Sequence, residues 1–147
     1  MDRQAAIEVL LEHYNSPHHR GPIPDADVMM PGGNPGCGDV VTIFLKVDHA
    51  TDKVQKITFV GEGCTISQAA ASILTDMVQD TPLSEIEEMD YHVMMDTIGQ
   101  EVAQTRPRCS TLALGTLKSA IQKYRRDRMR EEAGLPPTDV TVEPLQD

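Results

Sequence analysis

The period of the apolar residues changes at Gly63, and that change constrains the fold more than any other feature of the chain. Before it, Val40-Val-Thr-Ile-Phe-Leu-Lys-Val47 and Val54-Gln-Lys-Ile-Thr-Phe-Val60 are rich in β-branched residues and have strand character. The polar connection Asp48-His-Ala-Thr-Asp-Lys53 predicts that they pair as an antiparallel hairpin. After it, Ile66, Ala69, Ala70, Ile73, Leu74 and Met77 lie on one stripe of a helix that runs to about residue 79. Val54, Ile57 and Phe59 do not alternate perfectly, which leaves the register of the second strand open.

The flanks are helical. Ala6, Ile7, Leu10, Leu11 and Tyr14 recur at helical spacing and Ser16-Pro17 stops them. Residues 18–36 carry so much Pro and Gly that a flexible, extended loop is expected up to Cys37. After Thr81-Pro82, short helical pieces are expected at Ser84–Glu88 and through Met94, Met95 and Ile98, with the methionines as core filler. Pro107 predicts an extended entry into Cys109, where Ser110 or Thr111 can cap a long helix bearing Leu112, Leu114, Leu117, Ile121 and Tyr124. Gly134 and Pro136-Pro137 end that helix. The 147 residues suit one domain, expected over 1–134, with a polar, acidic tail at 135–147.

The 23 acidic and 13 basic side chains give a net charge of −10, which repels a phosphate backbone. Aromatic residues make up only 3% of the chain, too few for a platform on which bases stack, so nucleic acid is not an expected partner. The run Arg125-Arg126-Asp127-Arg128-Met129-Arg130 reads as the solvated end of a helix, where cations complement the dipole, or else as a docking patch for an acidic partner. With neither a signal-like apolar run nor a membrane span, a cytoplasmic protein is expected.

Three widely spaced cysteines make a poor disulfide framework and suit metal or sulfur chemistry instead. Cys64 and Cys109 begin helices, and Arg106 and Arg108 stand beside Cys109, so both thiols are expected to be more acidic than a free thiol. Cys37 and Asp39 are two residues apart in extended chain and can present a sulfur and a carboxylate oxygen to one ion. Three sulfurs and one oxygen suit zinc or, less firmly, an iron-sulfur cluster. Composition and spacing alone leave a shared metal site and buried, incidental thiols both open.

Asn34-Pro-Gly-Cys-Gly-Asp39, Phe59-Val-Gly-Glu-Gly-Cys-Thr-Ile-Ser67 and Arg106-Pro-Arg-Cys-Ser-Thr-Leu112 together resemble the IscU/SufU/NifU N-terminal family of iron-sulfur cluster assembly proteins. Leu11-Glu-His-Tyr-Asn-Ser-Pro17 is similar to that family's opening helix and turn. The resemblance covers residues 4 to about 124 in order. It implies an α+β fold, a small, mainly antiparallel three-stranded sheet with helices packed against it. The third strand would come from residues 24–30, where Ala26, Val28 and Met30 alternate. It also implies a scaffold and carrier, rather than an enzyme, on which a [2Fe-2S] cluster is built from iron and from sulfur supplied by a cysteine desulfurase, then passed to apo-proteins. Cys37, Asp39, Cys64 and Cys109 match the family's ligand positions, and Cys109 matches its persulfide acceptor.

The alternative within the family is a zinc-bound SufU-like sulfurtransferase, in which Cys37 takes the sulfur. That branch carries an insertion between its second and third cysteines, whereas Cys109 follows Cys64 by only 45 residues here. The chain departs from the Isc type at Arg108, where His is usual. A Leu-Pro-Pro-Val-Lys segment is replaced by Val102-Ala-Gln-Thr-Arg-Pro107, and Leu135-Pro-Pro137 lies in the tail. An Hsp70-type chaperone is therefore a doubtful partner, and the working state is a monomer or a homodimer. His13, His18, His19, His49 and His92 are expected to stay outside the site, as packed or exposed polar residues.

Overall fold

A computed structural model of the chain describes residues 3–34 and 38–136. Its sheet has three strands, β1 (Val28–Asn34), β2 (Asp39–Asp48) and β3 (Lys53–Glu62), antiparallel throughout in the order β1-β2-β3. The helices are α1 (Arg3–Asn15), α2 (Thr65–Met77), α3 (Leu83–Glu87), α4 (Tyr91–Ile98), α5 (Gln100–Ala103) and α6 (Pro107–Glu132). The expected α+β architecture is the one observed.

The hairpin of β2 and β3 forms where its β-branched runs stand. Asp39, Val41, Ile43, Leu45 and Val47 alternate onto the buried face of β2. In β3 Lys46 pairs with Lys56 but Val47 with Val54, which leaves Gln55 as an extra residue. That bulge turns Val54 and Ile57 to the same side, and it is the reason their spacing departs from strict alternation. Buried Leu114, Leu117 and Ile121 of α6 and Ala70, Ile73 and Leu74 of α2 belong to the same core as that strand face.

Over its described residues, 18–34, the stretch 18–36 is not the flexible loop its composition suggests, and residues 35 and 36 lie outside the described residues. Residues 28–34 pair with β2 as an edge strand, Pro31 opposite Thr42, a position where a missing N–H is tolerated. Gly32 lets that strand lie against α6, since a Cβ there would fall 1.9 Å from Thr116 Oγ1.

Pro107 also corrects an expectation. It occupies the first turn of α6, where its fixed φ suits helix, so Cys109 lies inside that turn rather than after an extended entry. Arg106 is the N-cap, and Ser110 and Thr111 do not cap. Their hydroxyls donate back to the carbonyls of Arg106 (2.9 Å) and Pro107 (3.0 Å). At the other end Gly134 (φ +77°) closes α6, its N–H bonded to Glu131 O and that of Leu135 to Arg130 O.

The basic run is only partly a solvated face. Arg125 grips both carboxylate oxygens of Glu87 (2.9 and 3.0 Å) and one of Asp52 (3.1 Å), fastening α6 to α3 and to the β2–β3 turn. Among the described residues no helix is long and apolar enough to cross a membrane. Most of the expected tail, residues 137–147, lies outside the described residues.

Candidate metal centre

Antiparallel pairing decides where the site forms. Val40 lies opposite Glu62, so the start of β2 stands beside the end of β3, where the chain turns through Gly63 into Cys64 and α2. Asp39, on the inward face of β2, is only 1% exposed. Its Oδ1 accepts the Cys64 backbone N–H at 2.7 Å and its Oδ2 accepts the Cys109 thiol at 2.9 Å. One ligand atom from each of Asp39, Cys64 and Cys109 lies within 4.8 Å of the others. Cys37 lies outside the described residues.

Gly63 is required by this approach. Its φ of +146° disfavours a side chain, and a Cβ would fall 2.2 Å from Asp39 Oδ1. The N-cap of α2 is Cys64 itself, whose sulfur accepts the Ser67 N–H at 3.4 Å, the part expected of Thr65 or Ser67. Gln68 is buried behind it, and its amide donates to Ser67 Oγ at 3.1 Å. Sequence reasoning missed Gln68 and the contact between Gly63 and Asp39, although Gly61-Glu-Gly63 before a cysteine is itself a signal for close backbone approach.

Cys109 contradicts the expected acidic thiol. Burial pushes its pKa up, and the hydrogen bond to Asp39 and the nearness of Cys64 push it further the same way. Arg106 and Arg108 are exposed and do not offset this. Asp39 and Cys109 are each only 1% exposed, so ionising Cys109 would set a second negative charge against a poorly solvated carboxylate, and the thiol keeps its proton. A cation held by Asp39, Cys64 and Cys109 would supply the compensating charge that a Cys109 thiolate needs.

The donors suit such a cation. Ligands of one tetrahedral zinc stand roughly 3.8 Å apart, given Zn–S bonds of about 2.3 Å, so sulfurs and oxygen within 4.8 Å need only a small inward shift. A cleft of about 560 Å³, lined by Tyr14, Pro17, Arg20 and Gly61 among others, reaches Gly63 beside the half-buried Cys64. His13 and His18 gather elsewhere, with Asp76.

Residues 6–131 match the NifU-like N terminal domain family. The chain belongs to that family. This NifU-like domain is 34% identical over 135 residues to the iron-sulfur cluster assembly scaffold protein IscU of Thermotoga maritima, covering 81% of the chain and 94% of the relative. IscU of Aquifex aeolicus is 30% identical over 131 residues, 88% of the chain and 83% of the relative. The zinc-dependent sulfurtransferase SufU of Bacillus subtilis is 29% identical over 133 residues, 79% and 88%. The N-terminal part of a nitrogen-fixing NifU-like protein from Brucella abortus shares the fold at 16% identity, with a TM-score of 0.69 over 81% of this chain and 93% of that one. The NifU-like domain is thus a member of the iron-sulfur cluster assembly scaffold family that includes IscU and SufU.

Proposed function

We propose that the chain is a scaffold that assembles a [2Fe-2S] cluster on Cys37, Asp39, Cys64 and Cys109 and releases it to apo-proteins. The convergence of Asp39, Cys64 and Cys109 carries this reading, because it gathers soft and hard donors around one buried position. Residues 1–134 form the scaffold domain, which contains the whole family match. Clusters are normally held by four thiolates, and a carboxylate in place of one holds the cargo less tightly. That lability suits a temporary site.

Sulfur arrives as a desulfurase persulfide. The Cys109 sulfur attacks the terminal sulfur of the persulfide, and its proton passes to the leaving desulfurase sulfur. A new S–S bond forms on Cys109 as the desulfurase S–S bond breaks and its cysteine leaves as the thiol. Because Cys109 is only 1% exposed, the desulfurase must displace its cover first.

The second reading, a zinc-bound sulfurtransferase using Cys37, rests on the likeness to SufU. The short run from Cys64 to Cys109 favours the scaffold. Anaerobic purification followed by metal analysis and visible spectroscopy separates the two. A scaffold should carry iron, acid-labile sulfide and charge-transfer bands after incubation with iron, cysteine and desulfurase. A colourless protein that keeps about one zinc and builds no cluster would establish the transferase instead.

A further inference from the structure

A second group of metal-binding side chains stands apart from the cysteines. His13 from α1, His18 from the following turn and Asp76 from α2 each offer a ligand atom, all within 4.8 Å of one another. The imidazoles of His13 and His18 have centroids 4.5 Å apart at an angle of 50°. His18 Nδ1 lies 2.6 Å from Asp76 Oδ2, and His19 Nε2 lies 3.0 Å from the other oxygen, Oδ1. Ser72, one turn before Asp76, joins the cluster through its hydroxyl, 2.7 Å from His13 Nδ1.

The arrangement is fixed before any ligand arrives. The His18 N–H donates to Ser72 Oγ at 2.8 Å, and His19 O accepts the Phe59 N–H at 3.0 Å. Gly21 N–H donates to Phe59 O at 2.9 Å, so the turn is stitched to α2 on one side and to β3 on the other. His19 is held at φ +52°, an unfavourable backbone for a residue with a side chain. Consecutive histidines meet the two oxygens of one carboxylate.

We propose that His13, His18 and Asp76 form a second binding site for a divalent transition-metal ion, with His19 positioning the Asp76 carboxylate. Imidazole with carboxylate is the donor set of zinc and of non-haem ferrous iron, whereas magnesium and calcium prefer oxygen alone. A bound ion would take the place of the contact that now joins the His18 ring to Asp76. Burial and the neighbouring His18 lower the pKa of His13, which favours its neutral, ligating form. His19, bonded to the far oxygen, fixes the carboxylate as outer partners of metal ligands do. Asp76 follows Cys64 by twelve residues of α2, about 18 Å along the helix, so the two sites are separate.

Zinc titration of the reduced, metal-free chain, followed by calorimetry and by nitrogen NMR of the imidazoles, tests this. Zinc should shift the ring nitrogens of His13 and His18 and leave His92 unmoved. His18→Ala should abolish that binding event and leave the thiolate one, and His19→Ala should weaken it about 10- to 100-fold. Unmoved His13 and His18 resonances at saturating zinc, or a histidine-site event that persists in His18→Ala, would overturn the proposal. The NMR measurement needs no variant, and it reads this site whether or not the cysteines bind metal.

Discussion

Cys109 is a buried thiol that holds its proton against the Asp39 carboxylate. Its thiol donates to Asp39, which also accepts the Cys64 N–H, so one carboxylate holds together the start of β2, the start of α2 and the start of α6. The raised thiol pKa has a consequence for stability. In the unfolded chain Cys109 ionises near its ordinary value, about 8.5, while the folded chain holds the proton to higher pH. The unfolded state then binds fewer protons, so stability is complete below about pH 8.5 and falls above it by up to ~1.4 kcal/mol per pH unit. Urea unfolding of the metal-free protein between pH 7 and 10 should show this fall, and Cys109→Ser should flatten it. Tyr124, whose pKa burial also raises, contributes in the same direction to both chains and cancels in their difference. Parallel curves for the two chains would show that the Cys109 proton is not held as described.

At the level of elements, β2 and β3 were legible because their β-branched runs report local preference. The edge strand β1 was not, since Pro31, Gly32 and Gly33 carry turn signals. What makes that segment a strand is non-local, namely the open edge of β2 and the back of α6. The family resemblance recovered it by order along the chain, with bounds set a few residues too early. Likewise the bulge at Gln55 is written in the uneven spacing of Val54 and Ile57, but only pairing with Val47 reveals it. Gly32 is the point where β1 and α6 constrain each other most. Gly32→Ala forces its Cβ against Thr116 Oγ1 and should destabilise the protein by about 1–3 kcal/mol. Thr116→Ala removes that oxygen, so the double variant should recover part of the loss, with a coupling of about 0.5–3 kcal/mol by denaturant titration. Strict additivity would mean that the two elements do not meet there.

For the whole molecule, the site depends on closure of the fold. Asp39 and Cys109 are 70 positions apart, and His18 and Asp76 are 58 apart. Each cysteine motif could be read in the sequence because Gly and Pro mark it locally. The histidine cluster could not, because Asp76 is an ordinary helical acid until α2 packs beside α1. Since no short segment holds Asp39, Cys64 and Cys109 together, a metal bound there recognises the folded chain far better than the unfolded one. Its binding energy must then appear as folding energy. With the histidine cluster disabled by His18→Ala, free zinc at a hundredfold excess over its dissociation constant should stabilise the protein by about 2.7 kcal/mol. Cys64→Ser or Cys109→Ser in that background should abolish most of the gain. Thermal unfolding with and without zinc measures the difference. An undiminished shift in both serine variants would mean that the metal binds without the folded meeting of α2 and α6, and that the three residues do not form one site.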